Sequence, residues 1–440
     1  MVQDYKRRRF LKTAAAASVI GTTGLAGCIG DDDDDETPTP EDTPEDTPED
    51  TPEDTPEDTP TPEETEAISM GSILPITGVL EDFGPPMQDA VNLAVQHVNE
   101  AGGPLGRQVN MTNMDSETLP SAGFDRYESL VTEHDVEVVI GAASSGVSSP
   151  IAQEVANDQV MQISPASTSP VFVDFGWDNG TKYFGRTAPN DAQQGVVIAR
   201  VVDEYYEAEK VGFLYVDNPY GEGASEVASE ASDAETVAFV GYDEEATDFS
   251  TTLDSLFSDD PDAVVFVGYP GEARPMLSQW DELGYGGEWV LSEGLDSPEF
   301  ISDFAELLEG FYLTTPSPEE TEGSQLFQDM LDFVGPFAPH SYDATMIAAL
   351  AMEAAGEATG TAVAQNFRDV CNPPGEIVTV GEFDKAKDLL ADGEDIQYQG
   401  ASSPLEMNEN LENLNQFAIT QIVDGATETV ELLEREWFMD

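Results

Sequence analysis

Cations, cysteine and histidine are all scarce in this chain. Of 440 residues, 16 are Lys or Arg against 89 Asp or Glu, three are His and two are Cys, for a formal net charge of −73. Two cysteines, Cys28 and Cys371, cannot build a disulfide framework. Three histidines without clustered Cys/His spacing argue against a transition-metal site, and no cofactor motif stands out. The acidic excess excludes nucleic acid and anionic lipid as partners. Self-repulsion on this scale loosens a compact domain in dilute buffer. At molar salt, where the Debye length is about 3 Å, that repulsion is screened, so the composition points to a very saline habitat. Long apolar runs are missing too: the Ala-rich stretch from Ala14 to Ala26 is too short and mild for a stable membrane span. No Gly-x-Ser-x-Gly frame or ordered Ser, His and Asp set suggests an enzyme. Cys371 has no His placed beside it by spacing and reads as a packing residue.

What is present begins at the amino terminus. Residues 1–27 read as an export signal, with Lys6, Arg7, Arg8 and Arg9 heading Phe10, Leu11 and Lys12. That head resembles a twin-arginine signal. The run closes Leu25-Ala26-Gly27-Cys28, which looks like a lipobox with Cys28 as the lipidated residue. A plain helix with an incidental cysteine is the alternative. Residues 28–66 follow as an acidic Thr-Pro-Glu-Asp stalk. Proline at every fourth position forbids helix, and dense like charge keeps the segment extended and disordered. At roughly 3.1 Å per residue its residues 31–66 could reach about 110 Å. A partner-binding acidic segment is the competing reading.

Residues 67–440 suffice for two cores. Apolar strands alternate with amphipathic helices almost throughout. Strands are expected at Ile68 to Leu74, Val109 to Met114, Val136 to Ala142, Val211 to Val216, Val237 to Val240, Ala263 to Val267 and Trp289 to Leu291. Those from Val136 onward read as buried. Helices fall between them, one carrying Met87, Ala90, Val91, Ala94, Val95 and Val98 on a single stripe with His97 on its solvent side. This pattern argues parallel sheets covered on both faces, where ligands bind beyond the carboxyl ends of the strands. Small polar residues collect at those ends: Gly141 to Gly146, Ser164 to Thr168, Asn218 to Gly221, Gly268 to Pro270 and Ser292 to Gly294. Hydroxyls and amides gather on the first two, aromatics on the next two, and one carboxylate on the last. Such a set could hold a small zwitterion with an apolar tail.

Several segments then match a family in order and spacing. They are Thr77-Gly78 with Asp82-Phe83-Gly84, Asn99 to Gly106, Ile140 to Pro150, Ile163 to Ala166 with Thr168, Phe184 to Ala188, Asp217 to Gly223, Ser292-Glu293-Gly294 and Tyr342-Asp343-Ala344. Over residues 68–435 the chain resembles the leucine/isoleucine/valine-binding proteins, which have the type I periplasmic binding fold. The resemblance implies an α/β architecture of two Rossmann-like lobes with parallel sheets, joined by three crossover strands near Ala188, Thr315 and Pro404. It divides the body into residues 67–188 plus 315–403 and residues 189–314 plus 404–440, closing by a hinge.

Carried over position by position, the resemblance implies that the Ser145 hydroxyl, with Ala166 and Thr168, receives a ligand carboxylate. A helix start after Ser149 adds amide donors. Glu293 from the other lobe pairs with the ligand ammonium, while Tyr220, Tyr269 and Phe83 line the side-chain space. The implied protein is the monomeric, lipid-anchored solute-binding subunit of an ABC importer. It sits on the outer face of the membrane and delivers a branched-chain or similar small apolar amino acid to its permease. An amide, urea or aromatic acid ligand, or a sensor role, are the alternatives. One departure is Ser144, which stands where some members have a disulfide. Another is the carboxyl-terminal third, around Cys371 to Gly375 and Tyr398 to Ser402, which resembles longer relatives with less uniform ligands. Simpler readings stand beside these: Ser144 and Ser145 as loop residues, Thr168 as a helix cap before Pro170, Glu293 as one surface acid among many, and the two tyrosines as core aromatics.

Overall fold

The computed structural model describes residues 66–331 and 335–439. The export signal, Cys28 and the stalk up to residue 65 lie outside the described residues.

The chain first runs β1 (Ile68–Leu74), α1 (Gly84–Glu100), β2 (Val109–Asp115), α2 (Pro120–His134), β3 (Val138–Gly141), α3 (Ser145–Ala152), α4 (Val155–Asp158) and β4 (Met161–Ser164). A two-stranded ribbon, β5 (Trp177–Asp178) and β6 (Thr181–Lys182), precedes β7 (Phe184–Arg186). These strands make a parallel sheet in the order β2-β1-β3-β4-β7.

After β7 the chain crosses to a second sheet through α5 (Asp191–Arg200), β8 (Lys210–Val216), α6 (Pro219–Ala231), β9 (Glu235–Tyr242), α7 (Ser250–Leu256) and β10 (Ala263–Val267). It continues with α8 (Pro270–Leu283), β11 (Glu288–Leu291), α9 (Pro298–Asp303), α10 (Ala305–Leu308) and β12 (Tyr312–Ser317). It returns through α11 (Glu322–Met330) to α12 (Ala338–Ala355), α13 (Gly360–Cys371), β13 (Glu376–Val378), α14 (Phe383–Ala391) and β14 (Ile396–Tyr398). A last passage leads to the hairpin of β15 (Gln416–Val423) and β16 (Ala426–Leu433). The second sheet has the order β16-β15-β12-β11-β10-β8-β9. Its β12–β15 and β15–β16 pairs are antiparallel and the rest parallel. The fold is α/β with two Rossmann-like lobes.

Central strands are apolar because both faces are covered. Every residue of β3 and of β10 is buried. Helix α12 is buried throughout from Ala338 to Met352, which fits its place between α1 and α13. A helix walled in on all sides carries no polar stripe. Trp280, Trp289 and Phe311 form an aromatic cluster in the second lobe, with ring centroids 5.2 Å and 6.3 Å apart for the pairs made by Trp289.

Two expectations need correction. Val237 to Val240 is not a buried strand. It lies in β9, the edge of the second sheet, where Phe239 is 40% exposed. An edge strand has a neighbour on one side only, so valine and phenylalanine there serve strand propensity more than burial. His97 does not lean to solvent. Its Nδ1 lies 2.7 Å from the Tyr342 hydroxyl of α12, and the two rings meet edge-on. Its partner is far along the chain, so helical periodicity could not reveal the contact.

Candidate functional site

The strand ends of the two sheets face each other across a small, largely apolar cavity. Its polar wall in the first lobe is built by hydroxyls. After β3 the chain turns into α3, whose N-cap Ser144 accepts a hydrogen bond from the Gly146 amide at 3.2 Å. Ser164 and Ser167 donate to the carbonyls of Ala142 and Ala143 at 2.6 Å and 3.0 Å, and Ser167 also meets Ser148 at 2.8 Å. These bonds lock the loop after β3 onto the loop after β4. The amide of Ser169 donates to Ser145 Oγ at 3.3 Å. The helix start therefore falls at Ser145, not after Ser149. Ser144 already has the extended backbone of a cap, and its side chain satisfies the first free amide.

The opposite wall is aromatic and acidic. Asn218 caps α6 by accepting from the amides of Tyr220 and Gly221 at 2.9 Å and 3.1 Å, which fixes Tyr220 at the cavity. The Tyr220 and Tyr269 rings stack 5.5 Å apart, 11° from parallel. The Tyr220 hydroxyl lies 2.7 Å from Ser292 Oγ and 3.0 Å from Glu293 Oε2. Gly294 has to be glycine, since a Cβ there would stand 2.5 Å from the Gly268 carbonyl and 2.8 Å from the Tyr220 hydroxyl. Glu293, the residue before it, is 3% exposed and borders the cavity. Leu80, Phe83, Met87 and Phe337 close the apolar end. Gly84 lets Phe83 reach it, because a Cβ at that position would meet the Pro75 carbonyl at 1.9 Å.

The electrostatics are unbalanced. Burial raises the Glu293 carboxyl to about 7, against the pull of hydrogen bonds such as that from Tyr220. Asp191, at the start of α5, is fully buried, and its carboxylate makes no well-formed hydrogen bond among the described residues, the Thr168 hydroxyl being a weak neighbour that favours the charged form. Burial, and next the neighbouring Glu293 charge, push it well above the carboxylate range. Two buried acids thus lie close together. Burial favours the protonated form of both, and at Asp191 the Glu293 charge adds to that preference.

Six of the seven residues implied for ligand contact border the cavity: Ser145, Ala166, Tyr220, Glu293, Tyr269 and Phe83. Thr168 is buried near it without bordering it. Its carbonyl accepts from the Asp191 amide at 2.9 Å, and its hydroxyl lies near the Asp191 carboxylate without a well-formed hydrogen bond. It is not a helix cap either, because Ser169 caps the short turn Pro170–Val173. Sequence reasoning missed Leu80, Met87 and Phe337, which look like core residues, and Asp191, one acid among 89. Its place one residue after the Asn190 cap is the only local signal.

The lobes touch around this cavity. Arg274 of α8 pairs with Asp82 at 3.1 Å, and Ser297 donates to the same Asp82 oxygen at 2.5 Å. The Gly271 amide donates to the Val79 carbonyl at 3.1 Å, and Ser169 Oγ to the Pro219 carbonyl at 2.6 Å. Tyr269 meets Ser144 at 3.2 Å. The cleft is closed.

The family model for periplasmic binding protein matches residues 67–378. This chain belongs to the periplasmic binding protein family. Among relatives of this binding protein is the chemotactic signal transduction system substrate-binding protein BasB of Halobacterium salinarum. It is 32% identical over 382 residues, covering 85% of this chain and 92% of that one. The leucine binding protein LivK of Thermotoga maritima has a similar structure, with a TM-score of 0.71 at 22% identity, over 84% of this chain and 99% of that one. LivJ of Streptococcus pneumoniae, solved in complex with isoleucine, gives a TM-score of 0.69 at 22% identity over the same shares. These likenesses establish the type I periplasmic binding fold. Among the described residues no helix is long and apolar enough to cross a membrane.

Proposed function

We propose that this chain captures a branched-chain or similar small apolar amino acid outside the cell and hands it to the permease of an ABC importer. The observation that carries the reading is the cavity's division of labour. Neutral hydroxyls and helix-start amides lie on one side, a buried acid on the other, and an apolar end closes the space. Those are the needs of a zwitterion with an aliphatic tail. The ligand carboxylate meets Ser145 and the loop carrying Ala166 and Thr168, where the start of α3 adds amides and a favourable dipole. The ligand ammonium meets Glu293, with Asp191 close behind it, and releases the proton those acids hold when empty. Tyr220 and Tyr269 cover the side chain, and Phe83 bounds its end. The two lobes, residues 67–188 plus 315–403 and residues 189–314 plus 404–440, close as a hinge. No covalent step is needed, so the role is binding and release. The names of LivK and LivJ support this ligand class.

Cys28 then carries a lipid after export, and the acidic segment spaces the monomeric body from the outer membrane face. A chain this acidic works in molar salt. Calorimetry in high potassium chloride tests the ligand. Leucine, isoleucine and valine bind, while glutamate, urea and benzoate do not. Binding of urea or benzoate without any amino acid binding would overturn the reading.

A second reading is favoured by the name of BasB. In it the closed, occupied form is read by a signalling partner, and capture is the same but delivery differs. Cells lacking the chain separate the two, since loss of labelled leucine uptake supports import and loss of movement toward leucine with uptake intact supports sensing.

A further inference from the structure

Arg186 ends β7 and is 1% exposed. It does not border the cavity, yet all three of its guanidinium nitrogens are engaged. Nε and Nη2 both donate to Glu412 Oε2, the former at 2.9 Å. Nη1 donates to the carbonyls of Ser167 and Ser169 at 3.1 Å and 2.9 Å. Those two carbonyls bracket Thr168. A trans peptide points its C=O and N–H in opposite directions. Fixing the Ser167 carbonyl on Arg186 therefore turns the Thr168 amide away from the guanidinium. Ser169 passes the constraint on, because its amide donates to Ser145 Oγ.

Glu412 belongs to the last passage between the lobes, between β14 and β15. Its other oxygen, Oε1, accepts from Asn190 of the first passage at 3.2 Å and from Asn408 at 3.4 Å. The Arg186 amide also donates to the Leu411 carbonyl at 2.9 Å. One guanidinium thus connects the loop that holds Thr168 to two of the segments that must bend when the cleft opens.

We propose that Arg186 is a positioning residue, set by Glu412, that aims the anion-holding loop of the cleft and couples its geometry to the hinge. The proposal rests on the reading that this loop receives a ligand carboxylate. A planar fork is required, since a lysine carries the charge but cannot span Glu412 and two carbonyls together.

The test compares leucine with 3-methylbutan-1-amine, which is leucine without its carboxylate, by calorimetry in high salt. Wild type, Arg186→Lys, Arg186→Gln and Glu412→Gln are each measured, with thermal melts as the check on folding. Wild type prefers leucine. Arg186→Gln lowers that preference by about ten-fold or more while affinity for the amine barely changes, the scale of a lost charge-assisted contact. Arg186→Lys does not rescue it. Glu412→Gln gives a smaller fall in the same direction, and it decides the matter if the arginine variants fail to fold. Equal weakening of both ligands, or an unchanged preference in folded Arg186→Gln or Glu412→Gln, overturns the proposal. A wild type indifferent to the carboxylate instead overturns the amino acid reading beneath it.

Discussion

The two walls of the cleft solve opposite problems. The first lobe presents Ser144, Ser145 and Ala166, all uncharged, on a loop pair bound together by serine hydroxyls. The second presents Glu293 beneath a stacked tyrosine pair, with Asp191 close by. An anion can be held by neutral donors and a helix start at little desolvation cost. A cation in a dry pocket needs a formal counter-charge. On the proposed reading neither wall binds a zwitterion well alone, which assigns affinity to the closed form and divides discrimination between the lobes.

The strongest way to break that division is Glu293→Gln. Losing one partner of a buried charged pair costs about 2–5 kcal/mol, so leucine affinity falls by roughly thirty-fold to several thousand-fold in calorimetry. Acidification acts on the same wall by up to about ten-fold per pH unit. In the closed cleft without ligand, burial raises Glu293 to about 7, and the proposed pairing with the ligand ammonium needs it ionised. Leucine affinity therefore declines as pH falls below 7 and levels off above it. The sign for stability is opposite. An acid raised in the fold ionises first in the unfolded chain, so the empty protein loses stability as pH rises from the ordinary glutamate range through 7. Leucine consequently raises the melting temperature more at pH 8 than at pH 5.5.

The neutral wall yields less. Ser145→Ala removes one hydroxyl contact to a charged group, worth about 1.5–3 kcal/mol, and weakens leucine at least ten-fold without altering the pH profile. The smallest effect is expected at the seam. Asp82→Asn loosens the Arg274 and Ser297 contacts, a partly exposed pair worth about 1 kcal/mol. It raises the leucine dissociation rate a few-fold in stopped-flow, with little change in association. A loss in association instead would mean the contact shapes the open form.

The loops of the cleft could be read from sequence because parallel sheets place their functional loops at the carboxyl ends of strands, and the family resemblance singled out residues within them. Ser145, Ala166, Tyr220, Tyr269 and Glu293 all follow such ends within a few residues. What escaped depends on contacts across the chain. Phe337 enters the cavity from the segment before α12, and Leu80 from the turn after β1. Apolar residues carry no mark separating a ligand wall from a core. Asp191 matters because it is buried, and burial of an acid is invisible in a chain this acidic. Arg186 was recognised only as part of a matching segment, since its partner Glu412 is 226 residues away.

A ligand-deletion cycle tests the split most directly. Leucine and 4-methylpentanoate, which is leucine without its ammonium, are titrated into wild type and Glu293→Gln at pH 8 in molar salt. The account predicts that the variant loses thirty-fold or more for leucine and nothing for 4-methylpentanoate, which it binds as well as or better than wild type does. Equal losses for both ligands would contradict it, because Glu293 would then be supporting the fold of the pocket and not gripping a cation.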